Sequence, residues 1–483
     1  MKIEDRNNPS FQHTLDIFGL NFMDVEDMHL DKVKDGLYQL HIRLVPDYPP
    51  CPKCGHEHPH ILNYVRKVIS NGTIPGVDMD IVFHRRRYKC PNCHRTYSEN
   101  NPFAFKERRI SVAVSMAVLN DLKNVNETYT SVARRYGISP TTVANIFDEH
   151  IRVPEHRKLP EVLLIDEVYA FEDENGGYAC VLLDAKTMIP VDILPNRKKE
   201  QLIKFFKSYT REERSHTLLF CSDMYQPYHD VVRKMFPQAR RAVDRFHVLQ
   251  EFGRKMKYVR TRIMKGTHHN SHEYYLLKHQ HELLNLSPEA VDRKSGELLL
   301  SPTYARKYNH HFRRGMNRRE LLDKLLAVSP DLQEVYDLNN ELHALFRMTL
   351  RKDGEAKIRK KLLSLIVRLG ESSLEEMQDF ACTLERWKDE IMNSYLIYDR
   401  DFFVSGKTGR VTLNYHHLNS GMIENRNKVI QTMKRQANGF GNWPRFRNRV
   451  LYVMDPNVVP NLSIEIPSWK RQMGSLKDED PWK

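Results

Sequence analysis

Two aspartates stand where apolar segments leave a predicted sheet. Asp166 follows the apolar run 162–165, and Asp223 follows the segment 217–222, which contains the apolar run 218–221. Unbroken apolar runs of this length are typical of central strands that are covered on both faces. A carboxylate at the end of such a strand is a candidate catalytic or metal-binding group. The alternative for Asp166 is that its side chain only caps a turn.

The segments around these aspartates predict three strands, a helix, a strand, a helix and a strand. The first three strands cover residues 161–166, 178–183 and 188–194, with an Asn175-Gly176-Gly177 turn after the first. This is the order of the ribonuclease-H-like fold, in which the first and fourth strands are neighbours. Adjacent carboxylates repel each other unless a cation lies between them. We therefore expect Asp166 and Asp223 to lie side by side and to bind a divalent metal ion.

A third carboxylate, Glu424, lies on a predicted helix that opens at residues 419–421 and ends near residue 439. Five polar residues of this helix are spaced at three and four positions and share one face. They are Glu424, Asn427, Lys428, Gln431 and Arg435. Lys428 and Arg435 are candidate contacts to DNA. A solvated helix face has the same pattern, so spacing alone leaves both interpretations open.

Four of the seven cysteines form two Cys-x-x-Cys pairs. Cys51 and Cys54 form the first pair, and Cys90 and Cys93 form the second. Two such turns, brought together by strands, complete a closed site of four thiolates that is typical of one structural zinc ion. The spacer between the pairs is long, so a histidine is an alternative ligand. The candidates are His56, His58 and His60.

Three consecutive arginines, Arg85, Arg86 and Arg87, precede the second cysteine pair. We expect them to lie at least partly on the outer face of the zinc-binding ribbon and to contact DNA phosphate. The alternative is a solvated face without a ligand.

Residues 130–147 have the proportions of a helix-turn-helix. Gly137 permits the tight turn, Ser139 caps the second helix, and Pro140 occupies its first position, where no amide donor is lost. The predicted core consists of Val132, Ala133, Tyr136, Ile138, Val143 and Ile146. The residues left to face a DNA major groove are Thr141, Thr142 and Asn145. A helical hairpin without DNA contacts is the alternative.

The 483-residue chain has a net charge of +13 and a pI of about 9.2. Such a surface attracts polyanions, nucleic acid before membrane. No run of 18 apolar residues occurs, and the N-terminus lacks the apolar core of a signal peptide. Cys180, Cys221 and Cys382 are single cysteines in apolar segments, which fits a reducing compartment. We therefore expect a cytoplasmic protein.

The length suits two to four domains, and changes of pattern along the chain predict five segments. These are residues 1–100, with N-terminal strands and the zinc ribbon; 101–155, the helix-turn-helix; 156–255, the first part of a ribonuclease-H-like core; 256–410, a helical insertion; and 411–483, the last part of that core with Glu424 and the C-terminal tail. The predicted fold class is multidomain α+β and α/β.

Taken together, these motifs resemble the ISL-three family of insertion-sequence transposases, whose members join a four-cysteine finger, a helix-turn-helix and a DDE domain. The resemblance covers roughly residues 50–455. Its carriers are CPKCG, RRRYKCPNC, LLIDEVYAF, SDMYQPY, FPQARRAVDRFHV and NSGMIENRNKVIQTMKRQANGFGNWPRFRNRV. One departure is Asn425, because members often have Gly after the glutamate.

The resemblance implies that Asp166, Asp223 and Glu424 form a catalytic triad, and that Asp244 and His247 form the D-x-x-H element of related DDE lineages. It implies DNA phosphoryl transfer with two Mg²⁺ ions, which Mn²⁺ can replace, and one structural zinc ion. The implied partners are the terminal inverted repeats and target DNA. The implied protein is a homodimer or higher oligomer on DNA, associated with the bacterial nucleoid.

Two other functions are alternatives to this one. A catalytically silent, transposase-derived DNA-binding regulator is the alternative, but all three carboxylates are present. A tyrosine or serine recombinase needs a nucleophile in an arginine-rich pocket, and the sequence has no such motif.

Overall fold

The computed structural model describes residues 15–74, 77–105, 108–169, 177–404, 411–417, 421–437 and 439–461. The chain is mixed α/β and divides into two compact units, Met1–Glu155 with Val429–Lys483, and His156–Lys428. The five predicted segments are a finer division than these units and stay a prediction. The predicted turn residues Asn175 and Gly176 lie outside the described residues.

The first unit begins with a five-stranded sheet. Its strands are β1 (Val25–Lys34), β2 (Leu37–Leu44), β3 (His60–Ile74), β4 (Val77–Lys89) and β5 (Thr96–Ser98), in the order β1-β2-β4-β3 with β5 paired to β4. Along β2, Leu40 and Ile42 are buried and pack in one cluster with Ile81 of β4. Because β3 and β4 are antiparallel, Cys54 before β3 and Cys90 after β4 reach the same end of the sheet.

Three helices follow, α1 (Val112–Leu122), α2 (Tyr129–Arg135) and α3 (Pro140–His150). The predicted turn between α2 and α3 is confirmed: Gly137 has a φ of +63°, and Ser139 Oγ accepts a hydrogen bond from Thr142 N at 3.0 Å. Pro140 is the first residue of α3. Of the predicted core, four residues are buried and two, Tyr136 and Ile138, are only partly buried.

The second unit contains a five-stranded sheet and three helices. Its strands are β6 (Val162–Tyr169), β7 (Tyr178–Asp184), β8 (Pro190–Leu194), β9 (Leu219–Ser222) and β10 (Arg240–Val243), and its helices are α4 (Lys199–Lys207), α5 (Arg211–Ser215) and α6 (Gln226–Met235). The strand order is β10-β9-β6-β7-β8. Strands β6, β7 and β8 form an antiparallel meander, whereas β6, β9 and β10 are parallel.

Side-chain alternation along β6 decides which residues this sheet buries. Leu163 and Ile165 pack in one apolar cluster with Leu202, Phe206 and Val232 of the helices. Successive side chains of a strand point to opposite faces. Asp166 therefore points to the face opposite this cluster.

A helical region with two short strands follows β10 in the second unit. Its elements are α7 (Arg245–Lys265), α8 (His272–His279), β11 (Lys307–Asn309), β12 (Arg314–Met316), α9 (Arg318–Leu326), α10 (Pro330–Arg347), α11 (Leu350–Asp353), α12 (Glu355–Gly370) and α13 (Glu375–Asn393). Their apolar stripes form one cluster that includes Phe252, Leu342 and Leu384. Asn393 Nδ2 donates to the Arg241 carbonyl at 2.8 Å and so ties α13 to β10.

The last elements are the hairpin β13 (Ile397–Val404) and β14 (Val411–His417), then α14 (Gly421–Gln436) and α15 (Trp443–Met454). Helix α15 belongs to the first unit and packs on the helix-turn-helix. Arg449 Nη2 donates to the carbonyls of Asn124 and Glu127, both at 3.1 Å. Residues 429–461 thus group with the first unit, and their assignment to the last part of the catalytic core stays a prediction. Within the described ranges, none of the helices combines the length and apolar character that a membrane span requires.

Candidate active site

The parallel strands of the second unit carry three aspartates at one edge of the sheet. Strand β6 pairs with β9 at an offset of 57 positions, from residue 162 to residue 219, and β9 pairs with β10 at an offset of 21, from 219 to 240. The same two offsets align Asp166 with Asp223 and Asp223 with Asp244. The predicted neighbours, the first and fourth strands, are therefore paired, and each brings its aspartate to the same level.

Asp166 is fixed by hydrogen bonds to both of its carboxylate oxygens. Oδ1 accepts from the backbone N of Glu167 at 2.8 Å, and Oδ2 accepts from Asn427 Nδ2 at 2.9 Å. Burial raises the pKa of Asp166 to about 6, and the charge of Asp223 adds to this, against the opposing effects of the Glu167 N–H and His247. A divalent cation would relieve this cost of holding two negative groups together.

Asp223 follows β9 directly and is fixed by the next turn. Its Oδ1 accepts from the backbone N of Tyr225 at 3.1 Å. Burial raises the pKa of Asp223, and the charge of Glu167 raises it further, while His247 and Arg197 lower it. Asp166 and Asp223 are two partly buried carboxylates at one edge of the sheet, a donor set that suits a hard divalent ion.

Glu167, next to Asp166, is occupied by other partners. Its carboxylate accepts a hydrogen bond from the Tyr228 hydroxyl at 2.9 Å and pairs with Arg197. The Arg197 guanidinium also lies over the rings of Tyr178 and Tyr225. Glu167 is therefore neutralised within the protein and is not an open ligand.

Asp244 and His247 reach the same edge of the sheet. Asp244 is fully buried, its Oδ1 accepts from the backbone N of Phe246 at the start of α7, and its Oδ2 lies 3.8 Å from His247 Nε2. The charge of His247 lowers the pKa values of both Asp166 and Asp223, so its imidazole lies near the pair. A catalytic role for Asp244 and His247 stays a prediction.

Helix α14 presents Asn427 to Asp166, and Glu424 lies elsewhere. Asn427 is only 6% exposed; its Nδ2 also donates to the Glu167 carbonyl at 3.2 Å, and its Oδ1 has no hydrogen-bond partner among the described residues. The Glu424 side chain is 51% exposed and pairs with Lys428 at 3.2 Å. In the described part of the chain, the oxygens of Asp166, Asp223 and Glu424 do not gather within 4.8 Å of one another.

Sequence reasoning recognised Asn427 only as one member of a polar helix face. The sequence contains a stronger signal, the spacing of Ile423, Asn427 and Ile430 at four and three residues, which is typical of the apolar face of a helix. In the structure both isoleucines are buried. An asparagine inside an apolar stripe must find a polar partner. Its partner is the carboxylate of Asp166.

The four paired cysteines form a separate cluster in the first unit. Cys51 Sγ lies 3.5 Å from Cys93 Sγ, Cys54 Sγ lies 3.6 Å from Cys90 Sγ, and all four sulfurs lie within 4.8 Å of one another. A tetrahedral zinc ion with bonds of about 2.3 Å separates its sulfurs by about 3.8 Å. The cluster is therefore compatible with a zinc ribbon. The alternative ligands His56, His58 and His60 are not part of this group among the described residues.

The three arginines before the second cysteine pair differ in their surroundings. Arg86 is fully buried and pairs with Glu26 and Glu99, so its prediction as a phosphate contact is wrong. Two acidic residues from other segments neutralise it inside the sheet. Arg85 donates to the Glu99 carbonyl at 2.6 Å and is partly exposed, as is Arg87. Their contacts to DNA stay a prediction.

The predicted base-reading residues lie on one side of α3. Thr141 and Asn145 are exposed, and Thr142 is partly exposed, with its hydroxyl 2.8 Å from Ser139 Oγ. On α14, the predicted DNA contacts Lys428 and Arg435 are exposed. All five side chains are therefore accessible.

The chain is similar to known transposases. A family described as "Transposase", of the ISL-three DDE type, matches residues 163–398, a segment that includes Asp166, Asp223, Asp244 and His247 and ends before Glu424. The chain is also similar to the transposase for insertion sequence element IS1001 from Bordetella parapertussis. The two are 22% identical over 374 residues, which cover 76% of this chain and 80% of that protein.

Proposed function

We propose that this chain is a transposase of the ISL-three family, which cuts DNA strands at the ends of an insertion sequence and joins them to target DNA. The observation that carries the proposal is the pairing of β6 with β9, which sets Asp166 beside Asp223. The strand order β8-β7-β6-β9-β10 supports a ribonuclease-H-like core that the helices α7 to α13 interrupt. The family implies DNA binding and a divalent metal ion.

Asp166 and Asp223 are the residues that would hold Mg²⁺, or Mn²⁺ in its place. Such ions would supply activation of the attacking water or DNA 3′-hydroxyl and charge stabilisation at the leaving oxygen. The protein's own contribution is to keep the two carboxylates in place. Asn427 and the Glu167 amide hold Asp166, and the amide of Tyr225 holds Asp223. Such positioning before the reaction is the main source of catalysis in phosphoryl transfer.

Glu424 is our proposed third carboxylate, recruited when DNA binds. It lies three residues before Asn427, about one helical turn along α14 from the residue that contacts Asp166. Its present ion pair with Lys428 is solvent-exposed, and such pairs contribute only ~0.2–1 kcal/mol. A DNA phosphate beside Lys428 can replace Glu424 in that pair at little cost.

DNA recognition is proposed for the first unit. The accessible side of α3, with Thr141, Thr142 and Asn145, suits base reading of the terminal repeats. The four-cysteine cluster, as a structural zinc site, would hold the start of β3 and the end of β4 together, because its two cysteine pairs adjoin these strands in sequence. A homodimer or higher oligomer on DNA, which would hold two transposon ends together, belongs to the same proposal.

A supercoiled plasmid that carries the two element ends tests this function. With purified full-length protein and Mg²⁺ or Mn²⁺, we expect strand breaks with free 3′-hydroxyls at the ends, and transfer of those ends to other DNA. Specific end binding without breaks in either metal would support the silent regulator instead.

A further inference from the structure

Three histidines and an aspartate meet on one face of the N-terminal sheet. His29 and Asp31 lie on β1, His41 on β2 and His84 on β4. His29 is directly opposite His41 in the antiparallel β1–β2 pair. Asp31 is two residues beyond His29 and so shares its face. None of these residues belongs to the four-cysteine cluster or to the candidate active site.

The side chains of His29, Asp31 and His41 lie close together, with the two imidazole rings stacked and their centroids 4.8 Å apart. His41 Nε2 lies 3.5 Å and His29 Nε2 lies 3.9 Å from Asp31 Oδ2, and the three ligand atoms all lie within 4.8 Å of one another. Both distances exceed the range of about 2.7–3.2 Å for an N–H···O hydrogen bond. Ligands on one tetrahedral ion with bonds of about 2.0–2.1 Å are about 3.3 Å apart. The spacing is thus closer to that of ligands sharing an ion than to that of a hydrogen-bonded pair.

The second ring nitrogen of His41 and of His29 lies near another side chain. His41 Nδ1 lies 3.0 Å from His84 Nε2, and His29 Nδ1 lies 3.8 Å from an Asp27 carboxylate oxygen. When His41 Nδ1–H donates to His84 Nε2, the lone pair of His41 Nε2 points to Asp31. Metal-binding histidines usually have such a partner on the other ring nitrogen, which fixes the tautomer and the ring.

The electrostatics of the cluster permit a bound cation. Burial lowers the pKa values of His41 and His84 from their ordinary value. Arg43 and Arg66 are the nearby cations. Arg66 donates to Gln39 Oε1 at 2.8 Å, and Arg43 lies 3.4 Å from a Glu26 oxygen. The carboxylates of Asp27 and Asp31 offset these positive charges at the site.

We propose that His29, His41 and Asp31 form a second metal site, which takes a divalent transition ion such as Zn²⁺. His84 is a positioning residue that orients His41. The half-exposed side chains of His29 and Asp31 leave the remaining coordination positions to water. A bound ion links β1 to β2 and adds to the stability of the sheet, since it binds the folded and not the unfolded arrangement. This inference is independent of DNA cleavage.

Zinc counting on the full-length protein tests the site. After dialysis against micromolar Zn²⁺, we expect two zinc ions per chain in the wild type and one in Asp31→Asn, which keeps the shape of an exposed side chain. His41→Ala should also bind one. His216→Ala, a change of an exposed histidine on the second unit, is the matched control and should bind two.

The same zinc count can also contradict the second metal site. The same number of zinc ions per chain in the wild type and in Asp31→Asn would overturn it. If His41→Ala misfolds, Asp31→Asn alone decides the question. A melting temperature that rises with Zn²⁺ in the wild type and His216→Ala, but not in Asp31→Asn, is the second expected result.

Discussion

Replacing Asn427 by alanine removes the contact between α14 and Asp166. In the protein, Asn427 Nδ2 donates to Asp166 Oδ2 at 2.9 Å and to the Glu167 carbonyl at 3.2 Å. Without this donor, the backbone N–H of Glu167 is the one remaining hydrogen-bond donor to the Asp166 carboxylate among the described residues. We expect the carboxylate to be less well fixed for metal binding, whereas DNA end binding by the first unit should not change.

The size of the effect follows from the type of hydrogen bond. A hydrogen bond to a charged group contributes about 1.5–3 kcal/mol. Since about 1.4 kcal/mol corresponds to a factor of ten, strand cleavage by Asn427→Ala should be slower by roughly 10- to 100-fold. Half-maximal rate should need more Mg²⁺. Thermal stability should change little, because the variant also removes the buried Oδ1, which has no hydrogen-bond partner among the described residues.

The assay is single-turnover cleavage of end-containing DNA over a series of Mg²⁺ concentrations. Asn425→Ala is the matched control, because Asn425 is an exposed asparagine on the same helix. Its rate and Mg²⁺ requirement should equal those of the wild type. A wild-type rate and wild-type Mg²⁺ requirement in Asn427→Ala would refute the role of this contact. Equal losses in both variants would show an effect of the helix and not of the contact.

Three further predictions concern the other proposed sites. Cys51→Ser and Cys90→Ser should each bind one zinc ion fewer than Cys382→Ser, an exposed free cysteine, and should lose specific end binding; unchanged zinc in all three contradicts the structural site. Alanine at Thr141, Thr142 and Asn145 should relax sequence preference in competition binding while the salt dependence stays similar; a uniform loss of affinity with unchanged preference shows that these residues do not read bases. Glu424→Gln should bind ends normally and cleave slower by roughly 1000-fold or more, as expected for a lost metal ligand worth about 4 kcal/mol, whereas Glu371→Gln, on an exposed position of the helical region, should cleave at the wild-type rate. Normal cleavage by Glu424→Gln would mean that another group completes the site.

The sequence predicts those elements whose structure depends mainly on local residues. The apolar run before Asp166 predicts β6 because a strand buried on both faces needs such a run. The cap at Ser139 and Pro140 predicts the start of α3 because both act on neighbouring backbone groups. The spacing of the two Cys-x-x-Cys pairs predicts that the four thiolates lie together, because this spacing is typical of a structural zinc site.

The side chains whose surroundings come from distant segments could not be predicted. The arginine run does not reveal that Arg86 is inside the sheet, because its partner Glu26 lies 60 positions away. The polar face of α14 does not reveal that Asn427, rather than Glu424, contacts Asp166. The rotation of that helix depends on tertiary packing, and Asp166 lies 261 positions away from Asn427. The local sequence pattern therefore predicts neither the contact of Arg86 with Glu26 nor that of Asn427 with Asp166.

Cleavage by Asp223→Asn tests the central claim most directly, because this change removes the charge of one paired carboxylate and keeps the shape of its side chain. Asp230→Asn, on the helix that follows the same strand and paired with Lys199, is the control. With Mg²⁺ and end-containing DNA, we predict that Asp223→Asn binds the ends but cleaves slower by roughly 1000-fold or more, a loss of about 4 kcal/mol, while Asp230→Asn cleaves as the wild type does. Cleavage by Asp223→Asn at the wild-type rate would contradict the account.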